Sequence, residues 1–221
     1  MVDLISMNAY IVAGGSSKRM RRDKALLKLD GVSFIDITVS CASKLFDKVY
    51  IVGRQHEDPR ISASYEDDIQ DIGPIGGIYT ALRRTDKEFN FFIGIDYPFI
   101  NPEIILLLAG YLLEKPSKYQ GLIPVTPDGP HPLFAFYSKS CLASIEKCIA
   151  QMSYQIRCLS LYSNILYLYL QDELGATAYT RLKKSFININ SNRDYRELIK
   201  WKSRKKFEKK YHKTHNFQKK L

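Results

Sequence analysis

Apolar residues come in short runs, and polar segments with helical spacing lie between them. Residues 9–13 form an uncharged run of the kind that a parallel sheet buries on both faces, and the run ends at Gly14 and Gly15. Residues 35–46 repeat apolar positions at helical spacing, and 49–52, closed by Gly53, read as the next buried strand; together they predict a first βαβ unit. The pattern continues with a weaker strand at 61–65, a helix at 76–82 and a strong strand at 90–95. Asn101 and Pro102 suit the cap and first turn of a helix whose apolar side is 104–113. Strands at 121–125 and 133–137 flank a loop rich in Pro and Gly; a helix at 140–152, a strand at 165–170 and a short strand at 186–189 follow. A last helix starts near Ser191 or Asn192 and frays into the tail.

Near-regular alternation of strands and helices predicts an α/β fold: a single domain of three layers around a mostly parallel, doubly wound sheet. Ligands in such sheets bind beyond the carboxyl ends of the strands, so the loops after the strands are where chemistry is sought. With 221 residues, one sizeable domain is favoured.

Charge changes this picture only at the end of the chain. The net charge is +10, and residues 201–221 hold nine Lys or Arg against one Glu, leaving the first 200 residues nearly neutral. The predicted division is therefore a domain over 1–200 and a basic, flexible tail over 201–221. The body gives no electrostatic reason to expect nucleic acid, and the tail reads as a solvated end or a dock for an anionic partner such as RNA. Cys41, Cys141, Cys148 and Cys158 show no C-x-x-C spacing and read as reduced, mostly buried thiols. The apolar run 104–113 is about half of the roughly 20 residues that a membrane span needs, so the expectation is a soluble, cytoplasmic protein.

The candidate chemistry lies in four loops. Adjacent glycines at 14 and 15 let backbone approach a ligand, and Ser16, Ser17, Lys18 and Arg19 add hydroxyls and positive charge suited to a polyanion. Neither the dinucleotide fingerprint nor the P-loop is complete here. Asp96 stands at the end of a central strand before Tyr97 and Pro98, where a carboxylate is placed to hold a hard cation. Glu66, Asp67, Asp68 and Asp71 precede Gly73-Pro74-Ile75-Gly76-Gly77, and Asn188 and Asn190 precede the last helix. No catalytic triad, nucleophilic cysteine arrangement or zinc spacing is visible.

The order A-G-G-x-x-x-R-M-x-x-D-K over 13–24 resembles the opening signature of the MobA family of nucleotidyltransferases, the molybdenum cofactor guanylyltransferases, although Arg21 replaces a small glycine usual after Arg-Met. In the same order, 73–77 resembles the family's G-P-L-x-G and 94–100 its D-x-P-[FY]. Residues 186–194 resemble its F-x-N-x-N-T-P-E-D, with Ser191-Asn192 in place of Thr-Pro, and the loop 130–133 its acceptor-pocket loop.

The resemblance covers most of residues 7–200 and implies the Rossmann-like, glycosyltransferase-A-like nucleotidyltransferase fold. It implies that Asp96 binds Mg²⁺, that Lys24 and Arg19 contact the triphosphate, and that Val12, Ala13, Gly14, Gly15, Asp67 and Gly76 line the nucleotide. Asp67 is the better match by spacing, with Asp68 as the alternative. His131, Asn188 and Asn190 would hold the pterin. The implied reaction is attack of the terminal phosphate of molybdopterin, carrying molybdenum, on the α-phosphorus of GTP, with other cofactor-biosynthesis proteins as possible partners. Two rivals remain: a sister enzyme with another NTP or acceptor, such as a molybdopterin cytidylyltransferase or a sugar-phosphate nucleotidyltransferase, and a noncatalytic nucleotide-binding protein with an RNA-binding tail. Ala-Gly-Gly after the first strand favours the guanylyl reading.

Overall fold

The computed structural model describes residues 5–14, 24–114 and 117–217. In chain order the strands and helices are β1 (Ile5–Val12), β2 (Lys28–Leu29), β3 (Val32–Ser33), α1 (Phe34–Ala42), β4 (Phe46–Val52), β5 (Ala63–Tyr65), α2 (Pro74–Arg84), β6 (Phe89–Gly94) and α3 (Pro102–Leu113). They continue with β7 (Gly121–Thr126), β8 (Gly129–Pro130), β9 (Phe134–Ser138), α4 (Leu142–Ala150), β10 (Ile165–Tyr169), α5 (Leu170–Glu173), α6 (Ala176–Leu182) and α7 (Asn192–Phe217).

One sheet organises the molecule in the order β10-β7-β9-β6-β1-β4-β5, with β8 paired to β7. The pairs β5/β4, β4/β1, β1/β6 and β7/β10 are parallel, whereas β9 runs antiparallel to both β6 and β7. Alternate residues of β1 show the layering. Ala9 and Ile11 belong to a core shared with α1 and α3, while Tyr10 and Val12 face the opposite core with α2 and α4. The expected three-layer α/β sheet is thus present, and helices cover both faces. Both central strands are apolar on each side because each side is buried.

Local chemistry accounts for the helix starts. Ser33 caps α1 by accepting from the Asp36 amide, and Asn101 caps α3 by accepting from Glu103, with Pro102 in the first turn. Ser191 and Asp194 cap α7 reciprocally: the Ser191 hydroxyl accepts from the Asp194 amide at 3.2 Å, and the Asp194 carboxylate accepts from the Ser191 amide at 2.8 Å.

Several expectations shift. The first helix stops at Ala42, and Phe46 opens β4 instead of closing a helix. Residues 186–189 are not a strand, since Lys183–Phe186 is a 3-10 turn. The Ile189 amide bonds the Asp96 carbonyl past the end of β6, so the segment meets the sheet beyond its ladder and not within it. Helical backbone continues through Phe217. Among the cysteines, Cys148 and Cys158 are joined as a disulfide with their Cα atoms 6.0 Å apart. The pairing depends on a reversal after α4, where Met152 has φ 53° and the following turn folds back, a geometry that the spacing did not announce. Cys41 and Cys141 are free thiols, and burial pushes them up to about 12 and about 11, so neither is an activated nucleophile. No helix among the described residues is long and apolar enough to cross a membrane.

Candidate active site

The carboxyl ends of β1, β4 and β5 converge, and glycine makes the convergence possible. Ala13 donates to the Val52 carbonyl at 2.9 Å, which extends the ladder to the point where Gly14 meets Gly53. A Cβ on Gly14 would lie 2.8 Å from the Gly53 Cα. One on Gly53, whose φ is +89°, would lie 2.3 Å from the Gly14 Cα. Backbone occupies both positions, so neither clash can be relieved by a side-chain rotation.

Asp67 reaches this crossing. Its Oδ2 is 3.0 Å from the Gly14 Cβ position, and its Oδ1 faces Gly77, with no hydrogen-bond partner among the described residues. Burial, and then the neighbouring Asp68, raise its pKa above the ordinary carboxylate value. Asp68 is committed elsewhere: Arg84 holds it at 2.6 and 2.8 Å and Arg83 at 3.0 Å, which lowers its pKa. The adjacent acids are therefore distinguished by geometry, and Asp67 is the one aimed at the opening turn.

A second cluster forms around Asp96, just beyond β6. The Asp96 Oδ2 accepts from the Lys24 Nζ at 3.2 Å, and the same ammonium donates to the Asn190 Oδ1 at 3.1 Å. Lys24 and Asp96 are 22% and 16% exposed, so the pair is partly desolvated yet open to a ligand. The Asp96 Oδ1 is buried without a partner among the described residues. Behind it, the Ile189 amide donates to the Asp96 carbonyl at 2.9 Å, which ties the segment before α7 to the end of β6. Three segments far apart in sequence thus meet at one ammonium group.

Gly94 keeps room for this arrangement, because a Cβ there would lie 2.6 Å from the Asp96 Oδ1. Gly94→Ala is expected to turn the carboxylate aside and lower turnover on the order of 10²-fold, the cost of misplacing a reacting group by about 1 Å. A melting temperature close to that of the parent, measured beside the rate, would separate this from unfolding.

The other predicted residues lie as follows. Val12 is buried with its side chain in the core against Gly77, so only its backbone can face a nucleotide. Ala13 and Gly14 are half-buried at the edge. Gly76 is buried where a Cβ would meet the Ile69 carbonyl and Ile72 at 3.0 Å, which fits close packing of α2 on the preceding loop. Asn188 is half-buried beside the Tyr97 hydroxyl, and Asn190 is exposed. Gly15 and Arg19, like Arg21, lie outside the described residues.

His131 is 6% exposed, and both ring nitrogens face protein groups, Nε2 at 2.9 Å from the Thr126 hydroxyl and Nδ1 at 3.4 Å from the Tyr97 hydroxyl. It forms the wall behind Tyr97, and any contact with an acceptor would require one of these partners to be given up. Burial pushes its pKa down to about 4, against a slight opposing pull from Asp128. The folded protein thus refuses a proton that the unfolded chain accepts below its ordinary value of 6.5. Stability from this group is full above that value and falls as the pH drops toward about 4. Urea unfolding across this window should show that slope, and His131→Gln should flatten it.

Oxygen donors suit a hard divalent cation, and the unpartnered Oδ1 atoms of Asp96 and Asp67 are of that kind. Another group, Asp36, His56 and Asp58, has donor atoms within 4.8 Å of one another, but its acids are already engaged. The Ser33 hydroxyl donates to Asp36, and Arg60 grips Asp58 and holds its pKa down to about 2.

A glycine crossing at the carboxyl edge, flanked by carboxylate oxygens without a partner among the described residues and by a shared ammonium, suits a phosphate-handling α/β enzyme. Known proteins agree with this class. Residues 9–161 match the MobA-like NTP transferase domain. A protein of Halalkalibacterium halodurans, named a probable molybdenum cofactor guanylyltransferase, is 31% identical over 85% of this chain and 94% of its own length. Another of Natranaerobius thermophilus, named in the same way, is 30% identical over 89% and 96%. The crystal structure of molybdopterin-guanine dinucleotide biosynthesis protein A from Archaeoglobus fulgidus superposes with a TM-score of 0.72 at 26% identity, covering 90% of this chain and all of that one. The chain belongs to the family of MobA-like NTP transferases.

Proposed function

We propose that the protein transfers GMP from GTP to the molybdenum cofactor, forming its guanine dinucleotide and releasing pyrophosphate. The observation that carries this reading is the meeting of Lys24, Asp96 and Asn190 at one ammonium group. The relatives' names supply the substrates, and the glycine crossing beside Asp67 supplies a backbone surface on which a nucleotide can lie.

In this reading the terminal phosphate of molybdopterin attacks the α-phosphorus of GTP in line. A phosphorus–oxygen bond forms as the bond to the bridging oxygen breaks, and pyrophosphate leaves with the electron pair. The attacking phosphate is already an anion at neutral pH, so no general base is needed and positioning carries most of the work. Lys24 offsets the charge that builds on the leaving group, and Asn190 with Asp96 fixes where that ammonium points. Arg19 would add a forked phosphate contact. Asp67 faces the nucleotide across Gly14, while Val12, Ala13, Gly14, Gly15 and Gly76 shape the backbone under it. Asn188 and Asn190 face the acceptor, and His131 sets the wall behind them. Asp96, with Asp67 nearby on the same edge, would hold Mg²⁺, which supplies charge neutralisation on the phosphates when bound. Residues 1–200 serve as the transferase domain, and the reaction belongs to the cytoplasm.

Pyrophosphate release with each of the four NTPs, in the presence of molybdenum-loaded molybdopterin and Mg²⁺, tests the reading. GTP alone is expected to support turnover. Release with CTP and not GTP would replace it with a cytidylyl transfer, and GTP binding without any release would point to a noncatalytic role.

A further inference from the structure

A line of hydrogen bonds runs from the end of β7 to the segment before α7, and its last member alone reaches the surface. It begins at Thr126, the last residue of β7, whose hydroxyl lies 3.5 Å from the Gly129 carbonyl and 2.9 Å from the His131 Nε2. The other ring nitrogen, Nδ1, lies 3.4 Å from the Tyr97 hydroxyl, and that hydroxyl is also bonded by the Asn188 side chain. Thr126, His131 and Tyr97 are 7%, 6% and 3% exposed, whereas Asn188 is half-buried. Asn188 is two residues from Asn190, which accepts from Lys24, and the intervening Ile189 is the residue tied to Asp96.

The bonds have one consistent direction. Thr126 donates its proton to the Gly129 carbonyl, which can only accept. Its oxygen therefore accepts from the His131 Nε2–H, as it does from the Asp128 amide at 3.3 Å. A neutral imidazole protonated at Nε2 leaves Nδ1 to accept from the Tyr97 O–H, and the Tyr97 oxygen accepts in turn from an N–H of the Asn188 amide. Burial, which pushes the pKa of His131 down to about 4, keeps the ring in that neutral form. The rings are held from the side. Tyr97 meets Phe134 edge to face with centroids 5.4 Å apart, and Phe186 lies 4.9 Å from both Phe134 and His131. Phenylalanine at 97 and valine at 126 would fill nearly the same space without desolvating any polar group, so packing alone does not require this line. What the line adds is a fixed amide at its open end. The Asn188 amide gives one N–H to Tyr97 and has a second N–H and a carbonyl oxygen to offer a ligand.

We infer that Thr126, His131 and Tyr97 are positioning residues that fix the Asn188 amide for the acceptor, acting through the Nε2–H form of the imidazole. The inference rests on the nucleotidyl-transfer reading, in which Asn188 faces the acceptor. It gives His131 a role that needs no contact with substrate.

The test is pyrophosphate release by the full-length protein, with molybdenum-loaded molybdopterin varied at saturating GTP and then GTP varied at saturating acceptor. Thr126→Val removes the hydroxyl at the far end of the line and is expected to raise the acceptor KM roughly fivefold, the worth of one hydrogen bond. The KM for GTP should stay within about twofold of the parent value. Thr126→Ser, which keeps a hydroxyl, should hold the acceptor KM near that of the parent. Because Thr126 acts through Asn188, adding Thr126→Val to Asn188→Ala should raise the acceptor KM no further. Nitrogen-15 spectra of the imidazoles, with His131→Gln to assign the signal, should show His131 protonated at Nε2 and bare at Nδ1. A Thr126→Val protein that melts lower but keeps its acceptor KM has lost packing only, which overturns the inference. So do equal rises in both KM values, a further loss on the Asn188→Ala background, or a spectrum with Nδ1 protonated, which is readable on the parent even if Thr126→Val fails to fold. Each of these results leaves nucleotidyl transfer standing. A parent that releases no pyrophosphate from GTP defeats the transfer reading instead, and the acceptor role falls with it.

Discussion

Asp96→Asn is expected to lower kcat/KM by about 10³-fold with little change in melting temperature. The substitution keeps the size of the side chain but removes its charge, and with it the hard oxygen that is buried and has no partner among the described residues. Loss of one preorganised electrostatic group at a reacting centre costs about 10²–10³-fold in rate, and loss of the associated cation contact adds to it. Lys24, left without its acid, is still 22% exposed and can be solvated, so the fold loses little. Steady-state kinetics beside thermal unfolding would check both halves. A variant that turns over at the parent rate would remove Asp96 from the centre.

Lys24→Met should cost about 10²-fold, and its signature differs. Methionine fills similar space without an ammonium, so the Asn190 amide loses its donor and the Asp96 carboxylate is left with no compensating charge at 16% exposure. Leaving a partly buried charge unpaired is costly, and here a modest fall in melting temperature should accompany the fall in rate. In the proposed transfer the two side chains act on the same phosphates, so the double variant Asp96→Asn with Lys24→Met should be much less impaired than the product of the single effects. Multiplicative losses in that cycle would mean that the two groups act independently, contrary to the 3.2 Å contact between them.

Much of this architecture is legible in the sequence because local signals and burial agree. The apolar runs of β1, β4 and β6 are uninterrupted where both faces are covered, and Asn101-Pro102 opens α3 through its own chemistry. The matches lapse where tertiary context decides. The apolar stretch at 186–189 reads as a strand, but whether it pairs depends on where the chain meets the sheet, and the Ile189 amide bonds Asp96 past the end of β6. The reversed direction of β9 is equally invisible to periodicity, since parallel and antiparallel strands can bury the same residues. In the site, the motif order brings Lys24, Asp96 and Asn190 into view, whereas the choice between Asp67 and Asp68 needs the positions of Arg83 and Arg84.

The reciprocal cap at Ser191 and Asp194 has a bearing on when the protein becomes competent. It sets the backbone from which Asn190 reaches Lys24, while Tyr195 anchors the same helix through a 2.9 Å hydrogen bond to the Lys28 carbonyl. Leu198 packs with Leu27, Leu29 and Phe34. The opening turn is synthesised first, but its lysine finds its asparagine only after a further 166 positions of chain have been made. A growing chain therefore carries an unfinished centre until α7 docks, so the cluster is assembled long after its lysine is made.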